Sequence, residues 1–452
     1  MSTTDIPARE VPSPETPSRE RQLFGHPVGL TVLSLTEMWE MFSFFGMRAL
    51  LVYYMTRHLD FDQAHASLIY GAYAAFVYFT PVFGGIVADR WLGKRNAVLI
   101  GSAMMALGHF MMASEPLFYP ALTTIALGNG LFLPSLASQI EGLYRGGDPR
   151  SQSAYNIYYM GVNVGAFLAP LVCGLLGEAY GWHWGFAAAG VGMLASLVIY
   201  VSGRRYLPPE PARGAQARTA RPPLDRAAIA RFKLLIGIAA IIVVFRGAYE
   251  QVGNTIALWV DVGVDRRVTA GLSIPMPWFQ ALDPLVVFAA TPLLVARWSR
   301  LARRGIETPS LHKMAFGAAV VGLSYLLLAG VAGWAEAHGT RAHWGWLVGW
   351  FALMTLGELY ILPVGLGLFG HMAPEGFRAT CIATWFFAGF FGNLLAGSLG
   401  TLWGPLSHAG FFVVIGGTGV IAATLLYTLG RRVGQMEKRD NPALVALQMT
   451  DR

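Results

Sequence analysis

Twelve long apolar stretches follow one another along the chain, and they constrain its fold more than any other feature. A helix of about 20 apolar residues crosses the hydrocarbon core of a bilayer. Only 13% of the residues are charged, against roughly 25% in a soluble domain, so the chain could not cover a water-facing surface. We therefore predict an all-α membrane protein whose outer surface contacts the lipid bilayer. The predicted spans are residues 29–56, 66–88, 96–114, 119–143, 153–176, 182–203, 232–260, 277–298, 312–334, 344–371, 377–402 and 409–430.

The basic residues predict the orientation of these spans. With the N-terminus inside, 27 of the 33 Lys and Arg residues fall in or beside the cytoplasmic segments, and 4 fall on the outer side. Cytoplasmic loops are the ones enriched in Lys and Arg, so both termini are expected in the cytoplasm. The first 25 residues are polar and rich in proline and lack the apolar core of a signal peptide.

The longest segment between spans is rich in Arg and Pro and divides the spans into six and six. The net charge of +7 comes from such loops, so it is explained by membrane topology and no nucleic-acid partner is expected. The predicted parts are a disordered cytoplasmic tail (1–25), a six-helix bundle (26–203), a basic cytoplasmic linker (204–231), a second six-helix bundle (232–433) and a cytoplasmic tail (434–452).

Several motifs lie in order on the predicted spans. They are EMWEMFSFFGMRALLVYYM (37–55), GGIVADRWLGKR (84–95), YYMGVNVGAF (158–167), YEQVGN (249–254), WFQALDPL (278–285) and LGELYILPVGL (356–366). Together they resemble the signatures of the proton-dependent oligopeptide transporter family, a branch of the major facilitator superfamily. The resemblance implies the major facilitator fold, with twelve transmembrane helices in two six-helix halves. It also implies a proton-coupled symporter that imports di- and tripeptides by alternating access, in the inner (plasma) membrane of a bacterium.

The chain departs from the family pattern at a few positions. The Arg of the family's ExxER motif is Met41 here, and the Lys of its span-4 segment is Leu133. The two tyrosines of its YYG motif are Phe44 and Phe45, and the Asn of its span-8 segment is Asp283. The 28-residue linker has no room for the two extra helices that many bacterial members carry. We therefore expect an atypical member.

Ionisable side chains inside a membrane are costly, so each one predicts a functional role. Seven lie within the predicted spans: Glu37, Glu40, Arg48, Arg246, Glu250, Asp283 and Glu358. The alternative is a set of buried pairs that only fixes helix packing. Because five carboxylates face two cations in a low dielectric, one or more of Glu37, Glu40 and Glu358 is expected to bind protons near neutral pH.

Helical rise places Arg48 and Glu250 at a similar depth in opposite halves. This pair closes the outer gate in the resembled family, and the same role is expected here. Arg246 lies one turn before Glu250. It could pair with Glu250, offer a substrate anion a second positive group, or simply neutralise Glu250.

The resemblance also implies which side chains hold the solute. Arg48 would bind the carboxylate of a peptide, Glu358 and Asp283 its amine, and Asn163 its backbone. Phe44, Phe45 and Trp385 would line side-chain pockets, although Trp385 could equally be a packing aromatic. The full predicted binding set is Arg48, Phe44, Phe45, Tyr78, Asn163, Arg246, Glu250, Asp283, Glu358 and Trp385.

Two other functions stay open at this point. The same fold could carry an amine-bearing, non-peptide solute without a free carboxylate, since two carboxylate-binding cations are missing and Asp283 is gained. The chain could also be a non-transporting sensor. An enzyme is not expected, because no nucleophile–base pair, metal-ligand spacing or phosphate loop is found, and no cofactor or metal is predicted.

Restoring both missing cations should change the solute that the protein prefers. With Met41 and Leu133 in place of the family's Arg and Lys, we expect weak affinity for ordinary dipeptides. The double variant Met41→Arg with Leu133→Lys should shift uptake toward uncapped peptides over C-amidated ones, measured in liposomes. A wild-type preference for uncapped dipeptides that the double variant leaves unchanged would contradict this reading.

Overall fold

The computed structural model describes residues 22–440, except 24, 145–147, 149, 211–224, 270, 307 and 375. Most of both predicted tails and half of the predicted linker (211–224) therefore lie outside the described residues. Fourteen α-helices account for most of the rest. They are α1 (Val28–Arg57), α2 (Gln63–Val87), α3 (Lys94–Met111), α4 (Phe118–Ala137), α5 (Arg150–Tyr180), α6 (Trp182–Gly203), α7 (Arg226–Tyr249), α8 (Thr255–Val262), α9 (Leu282–Arg303), α10 (Ser310–Ala337), α11 (Gly345–Leu359), α12 (Leu362–His371), α13 (Arg378–Gly400) and α14 (His408–Asp440).

Short strands occur only between these helices or before α1 in the described part of the chain. An antiparallel pair, β1 (Gln22–Leu23) with β2 (His26–Pro27), precedes α1. Between α8 and α9 lie β3 (Val264–Asp265), β4 (Arg267–Thr269) and β5 (Leu272–Ser273). Strands β4 and β5 pair with each other, and β3 pairs with β6 (Ala342–His343) before α11. These pairs leave the all-α class unchanged.

Two of the twelve predicted spans are broken helices, which the sequence analysis did not anticipate. One consists of α7 and α8, joined by a 3-10 turn at Glu250–Gly253. The other consists of α11 and α12, which part at Tyr360 and Ile361. Pro363 lies in the first turn of α12, where its missing N–H costs no helical hydrogen bond. Counting each broken helix once gives twelve membrane-crossing units among the described residues.

The predicted spans agree with these units to within a few residues at most ends. Ten of the units are long and apolar enough to cross a membrane. The other two are α1, which contains Glu37, Glu40 and Arg48, and α3, which begins with Lys94 and Arg95. Charged side chains therefore weaken the hydropathy signal at these two helices.

Glycines allow the helices to pack backbone against backbone. Helix α1 packs on α5 and α6, and α3 packs on α4, within the first half (α1–α6); α10 packs on α14, and α7 on α13, within the second half (α7–α14). A Cβ atom on Gly165 of α5 would lie 2.1 Å from the carbonyl oxygen of Met38 on α1. Across the two halves, a Cβ atom on Gly71 of α2 would lie 2.5 Å from the Cα atom of Gly397 on α13. Only glycine permits approaches this close.

The polar contacts between the two halves gather at the end predicted to face outside. Arg57 pairs with Asp261 there. Arg266 pairs with Glu178 at 2.9 Å, and the Tyr53 hydroxyl donates to the carbonyl of Ala257 at 2.8 Å. Among the described residues, no hydrogen bond or ion pair joins the halves at the opposite end. The molecule is therefore closed at the predicted outer end.

Substituting Gly165 should separate α1 from α5. We expect Gly165→Ala to destabilise the folded protein by about 1–3 kcal/mol, since the added methyl group meets a backbone carbonyl that cannot move aside. The matched control is Gly237→Ala in α7, where nothing lies within 4 Å of an added Cβ atom. Thermal unfolding in one detergent should give a lower midpoint for Gly165→Ala alone. Equal midpoints for the two variants would contradict the expectation.

Candidate functional site

A cavity of about 270 Å³ lies between the two halves. Its wall comes from α1, α2, α4 and α5 of the first half and from α7, α9, α11, α12 and α13 of the second. Tyr159 lines it and is 49% exposed, so the cavity communicates with solvent. The polar or charged side chains of the wall are Glu40, Arg48, Tyr78, Asn129, Tyr159, Asn163, Tyr249, Glu250, Gln280, Asp283, Glu358 and Asn393.

Glu250 accepts hydrogen bonds from two arginines. Arg48 of α1 donates from Nη2 to its Oε2 at 2.8 Å, and Arg246 of α7 donates from Nη1 to its Oε1 at 2.8 Å. The side chains of Glu250 and Arg246 are 2% and 4% exposed. Two guanidinium groups against one carboxylate leave this cluster with an excess positive charge. The 3-10 turn at Glu250 lets its side chain face both partners.

Arg48 keeps a donor available to the cavity. Its Nε donates to the Tyr70 hydroxyl at 2.6 Å, while its Nη1 has no hydrogen-bond partner among the described residues. The Arg48 side chain is 16% exposed and lines the cavity. Guanidinium groups bind carboxylates through such paired N–H donors. The arrangement can therefore accept an anion from the cavity without first giving up Glu250.

Two carboxyl groups form a separate acidic pair in the wall. Asp283 of α9 accepts a hydrogen bond from the Thr355 hydroxyl at 2.5 Å, and Glu358 of α11 lies beside Asp283 and Tyr249. Neither carboxylate forms a salt bridge with a described residue. A cationic guest could therefore be bound here, since no cation of the protein occupies the position.

Glu37 and Glu40 lie buried on α1 without a cation. Both oxygens of Glu40 lack a hydrogen-bond partner among the described residues, as does Oε2 of Glu37. Glu37 lies beside Tyr158. Met41 and Leu133 line the same cavity as Glu40 and add only apolar surface. No described cation thus compensates either carboxylate.

Most of the predicted site residues meet at this cavity. Arg48, Phe44, Phe45, Tyr78, Asn163, Glu250, Asp283, Glu358 and Glu40 all line it. Asn163 donates to its own helix at the Tyr159 carbonyl, at 2.9 Å. Arg246 and Glu37 do not line the cavity; Arg246 lies behind Glu250 and donates to the Tyr78 hydroxyl at 3.1 Å.

Trp385 is not among the residues that line the cavity. Its ring packs on Phe369, with ring centres 5.3 Å apart. A Cβ atom on Gly365 would lie 2.2 Å from the same ring. Trp385 thus packs α13 on α12, the alternative that the sequence analysis left open. The wall contains its neighbour Phe386 instead, because the rotation of α13 turns that residue inward.

The sequence analysis missed further wall residues, among them Tyr159, Tyr249 and Gln280. Each lies within a quoted motif, next to or one helical turn from a predicted residue. Tyr159 precedes Asn163 by one turn, and Tyr249 precedes Glu250 directly. Helical spacing around the predicted residues was the signal that could have found them.

Comparison with known sequences identifies close relatives. A sequence model described as PTR2, POT family, matches residues 95–233 and 218–411. Peptide transporter YePEPT of Yersinia enterocolitica is 31% identical over 84% of this chain and 88% of its own. The di-/tripeptide transporter of Lactococcus lactis subsp. cremoris is 29% identical over 92% of this chain and 97% of its own.

The fold is likewise that of a solved transporter. The crystal structure of peptide transporter POT in complex with sulfate has a TM-score of 0.84 and 29% sequence identity. The match covers 92% of this chain and 97% of that one. The family resemblance and the fold class predicted from the sequence, twelve transmembrane helices in two halves, are confirmed.

Because Glu250 pairs with both Arg48 and Arg246, we expect substitutions of Glu250 and of Arg48 to change the stability of the protein by different amounts. Glu250→Gln leaves two buried arginines without their carboxylate, and we expect it to destabilise the protein by on the order of 3–5 kcal/mol. Arg48→Met leaves Glu250 paired with Arg246 and should cost less. Thermal unfolding in one detergent checks the order, with Arg267→Met, on the exposed β4, as the control. An Arg48→Met protein that is less stable than the Glu250→Gln protein would contradict the geometry.

Proposed function

The chain belongs to the POT family, and we propose that it imports di- and tripeptides or peptide-like solutes together with protons, by alternating access. The chain is an integral membrane protein and a transporter. That its relatives in Yersinia enterocolitica and Lactococcus lactis carry the names of peptide transporters supports the solute class.

The separation of charge in the cavity wall is the observation that carries this proposal. One group, Arg48 with Glu250 and Arg246, has excess positive charge and a free Arg48 donor. The other group, Asp283 with Glu358, is acidic and has no cation. No salt bridge joins the two groups among the described side chains. An uncapped peptide has the complementary pattern, with its carboxylate toward Arg48 and its amine toward the acidic pair.

The rest of the wall suits a short peptide rather than a long one. A chain spans at most about 3.3–3.6 Å per residue, and a volume of about 270 Å³ accommodates only a small solute. Phe44 and Phe45 offer apolar contact to side chains, and the ring pair is edge-to-face at 5.3 Å. Asn163 and Tyr78 offer hydrogen bonds to the peptide backbone.

Proton binding is assigned to the carboxylates that lack a cation. Burying an ionised carboxylate without a partner costs several kcal/mol, and a bound proton removes that cost. Glu40 is fully buried, and neither of its oxygens is hydrogen-bonded to a described residue. Glu37 is its neighbour one turn away, and one oxygen of Glu358 has no hydrogen-bond partner in the described part of the chain. These three are the proposed proton-coupling residues.

Alternating access requires the contacts at the outer end to break. Arg48 and Glu250 belong to different halves and form the deepest ion pair between them, so we assign them to the outer gate. Opening would also break the pairs of Arg57 with Asp261 and of Arg266 with Glu178. The absence of polar contacts between described residues at the other end supports an inward-facing state.

A second candidate solute is an amine-bearing molecule without a free carboxylate. The apolar surface of Met41 and Leu133 in the wall favours it, because neither residue can help to bind an anion. The named relatives favour peptides, so this solute ranks second.

Uptake into liposomes tests the proposed function. The purified protein is reconstituted and offered uncapped dipeptides, N-capped dipeptides, C-amidated dipeptides and simple amines, with and without an inward proton gradient. Gradient-driven uptake of uncapped dipeptides is expected, and empty liposomes are the control. Uptake of amines alone would favour the second candidate, and no uptake of any solute would overturn transport of this class.

The carboxylates of α1 should carry the proton coupling. In Glu37→Gln and Glu40→Gln, we expect gradient-driven uptake to fall to the level of empty liposomes, because the side chain can no longer gain and lose a proton. Counterflow, which needs no gradient, should persist. Undiminished gradient-driven uptake in both variants would refute the assignment.

A further inference from the structure

Arg246 is the one charged side chain of the Glu250 cluster that lies outside the cavity wall. It is 4% exposed and absent from the cavity wall. Its guanidinium carbon lies 4.8 Å from the centre of the Tyr78 ring, and its Nη1 donates to both the Tyr78 hydroxyl and Glu250. The lack of contact with the cavity argues against direct binding of the solute.

The two arginines differ in how they move relative to Glu250. Arg48 lies on α1 in the first half, whereas Arg246 lies on α7, four residues before Glu250 in the same half. Opening the outer end must separate Arg48 from Glu250. Arg246 moves with Glu250 and can stay in contact.

Breaking the contact between Arg48 and Glu250 would cost much free energy if Glu250 had no other partner. Removing one member of a buried ion pair leaves an uncompensated charge and costs about 3–5 kcal/mol. Arg246 has a further donor available for Glu250, since its Nη2, which shares one edge of the guanidinium with Nη1, donates to no described residue. A planar guanidinium can bind both oxygens of a carboxylate, so Arg246 can also take the Oε2 that Arg48 releases.

We propose that Arg246 is a positioning residue that keeps the Glu250 charge compensated while Arg48 moves away. It thereby lowers the free energy needed to open the outer gate. The inference rests on the proposed alternating access and deepens it. Gly392 of α13 makes the position possible, because a Cβ atom there would lie 2.4 Å from the Cβ of Arg246.

The test measures opening of the outer end without any solute. Spin labels on Glu115→Cys and Arg341→Cys report the distance between the two halves at that end; both side chains are exposed, and the native Cys173 and Cys381 are buried. Pulsed electron–electron double resonance of the full-length protein in liposomes gives the distribution of label distances, and from it the ratio of open to closed forms.

The expected pattern separates charge compensation from a structural role. Arg246→Met should lower the open-to-closed ratio by about tenfold, which corresponds to about 1.4 kcal/mol. Arg246→Lys keeps the charge and should recover most of the ratio. Adding Glu250→Gln to Arg246→Met should raise the ratio to that of Glu250→Gln alone, because no carboxylate is left to compensate. Arg267→Met is the matched control and should match the wild type.

Two results would overturn the inference. One is a ratio in Arg246→Met equal to that of the wild type. The other is a folded Arg246→Lys protein that loses as much opening as Arg246→Met. If the Glu250→Gln proteins cannot be purified in a folded form, the comparison of Arg246→Met with Arg246→Lys still tests the inference. Failure of peptide uptake by the wild type would overturn the proposed solute but leave this distance measurement valid.

Discussion

A carboxylate held between two guanidinium groups inside the membrane is the interaction on which the rest of the site depends. In a low dielectric, an isolated charge on Glu250 or on either arginine would cost much free energy. Arg48 ties Glu250 to the first half of the molecule, and Arg246 ties it to its own helix. The same three side chains therefore link the halves and leave positive charge facing the cavity.

The broken helices explain how these charges reach the cavity. Irregular backbone is tolerated at membrane depth where protein or a cavity satisfies it. Glu250 lies in the 3-10 turn between α7 and α8, and Glu358 lies in the last turn of α11, just before the break. Backbone groups at the first break find partners: the Gln251 side chain donates to the Gly247 carbonyl at 3.0 Å, and the Asn254 N–H donates to the Gln251 carbonyl at 3.1 Å. Each break thus places an acidic side chain beside the cavity.

The sequence predicted the spans and most of the wall, because both follow from local rules. Apolar length defines a span, and helical spacing brings Glu40, Phe44 and Arg48 to one face of α1. What local rules cannot provide is the rotation of one helix against its neighbours. Trp385 and Phe386 differ by one position, and only packing of α13 on α12 decides which of them faces the cavity. The break at Glu250 was missed for a related reason, since YEQVGN continues an apolar stretch and contains no proline.

The close contact of Gly71 with Gly397 has a consequence for the lipid around the protein. Where α2 and α13 touch through bare backbone, no side chains interlock, so the two surfaces can tilt on each other with little steric resistance. Half-buried phenylalanines continue this seam, with the ring centres of Phe79 and Phe390 5.1 Å apart. A seam that pivots while staying in contact would keep acyl chains out of the central space during each cycle. The Gly71–Gly397 contact would thus act as a pivot that excludes lipid.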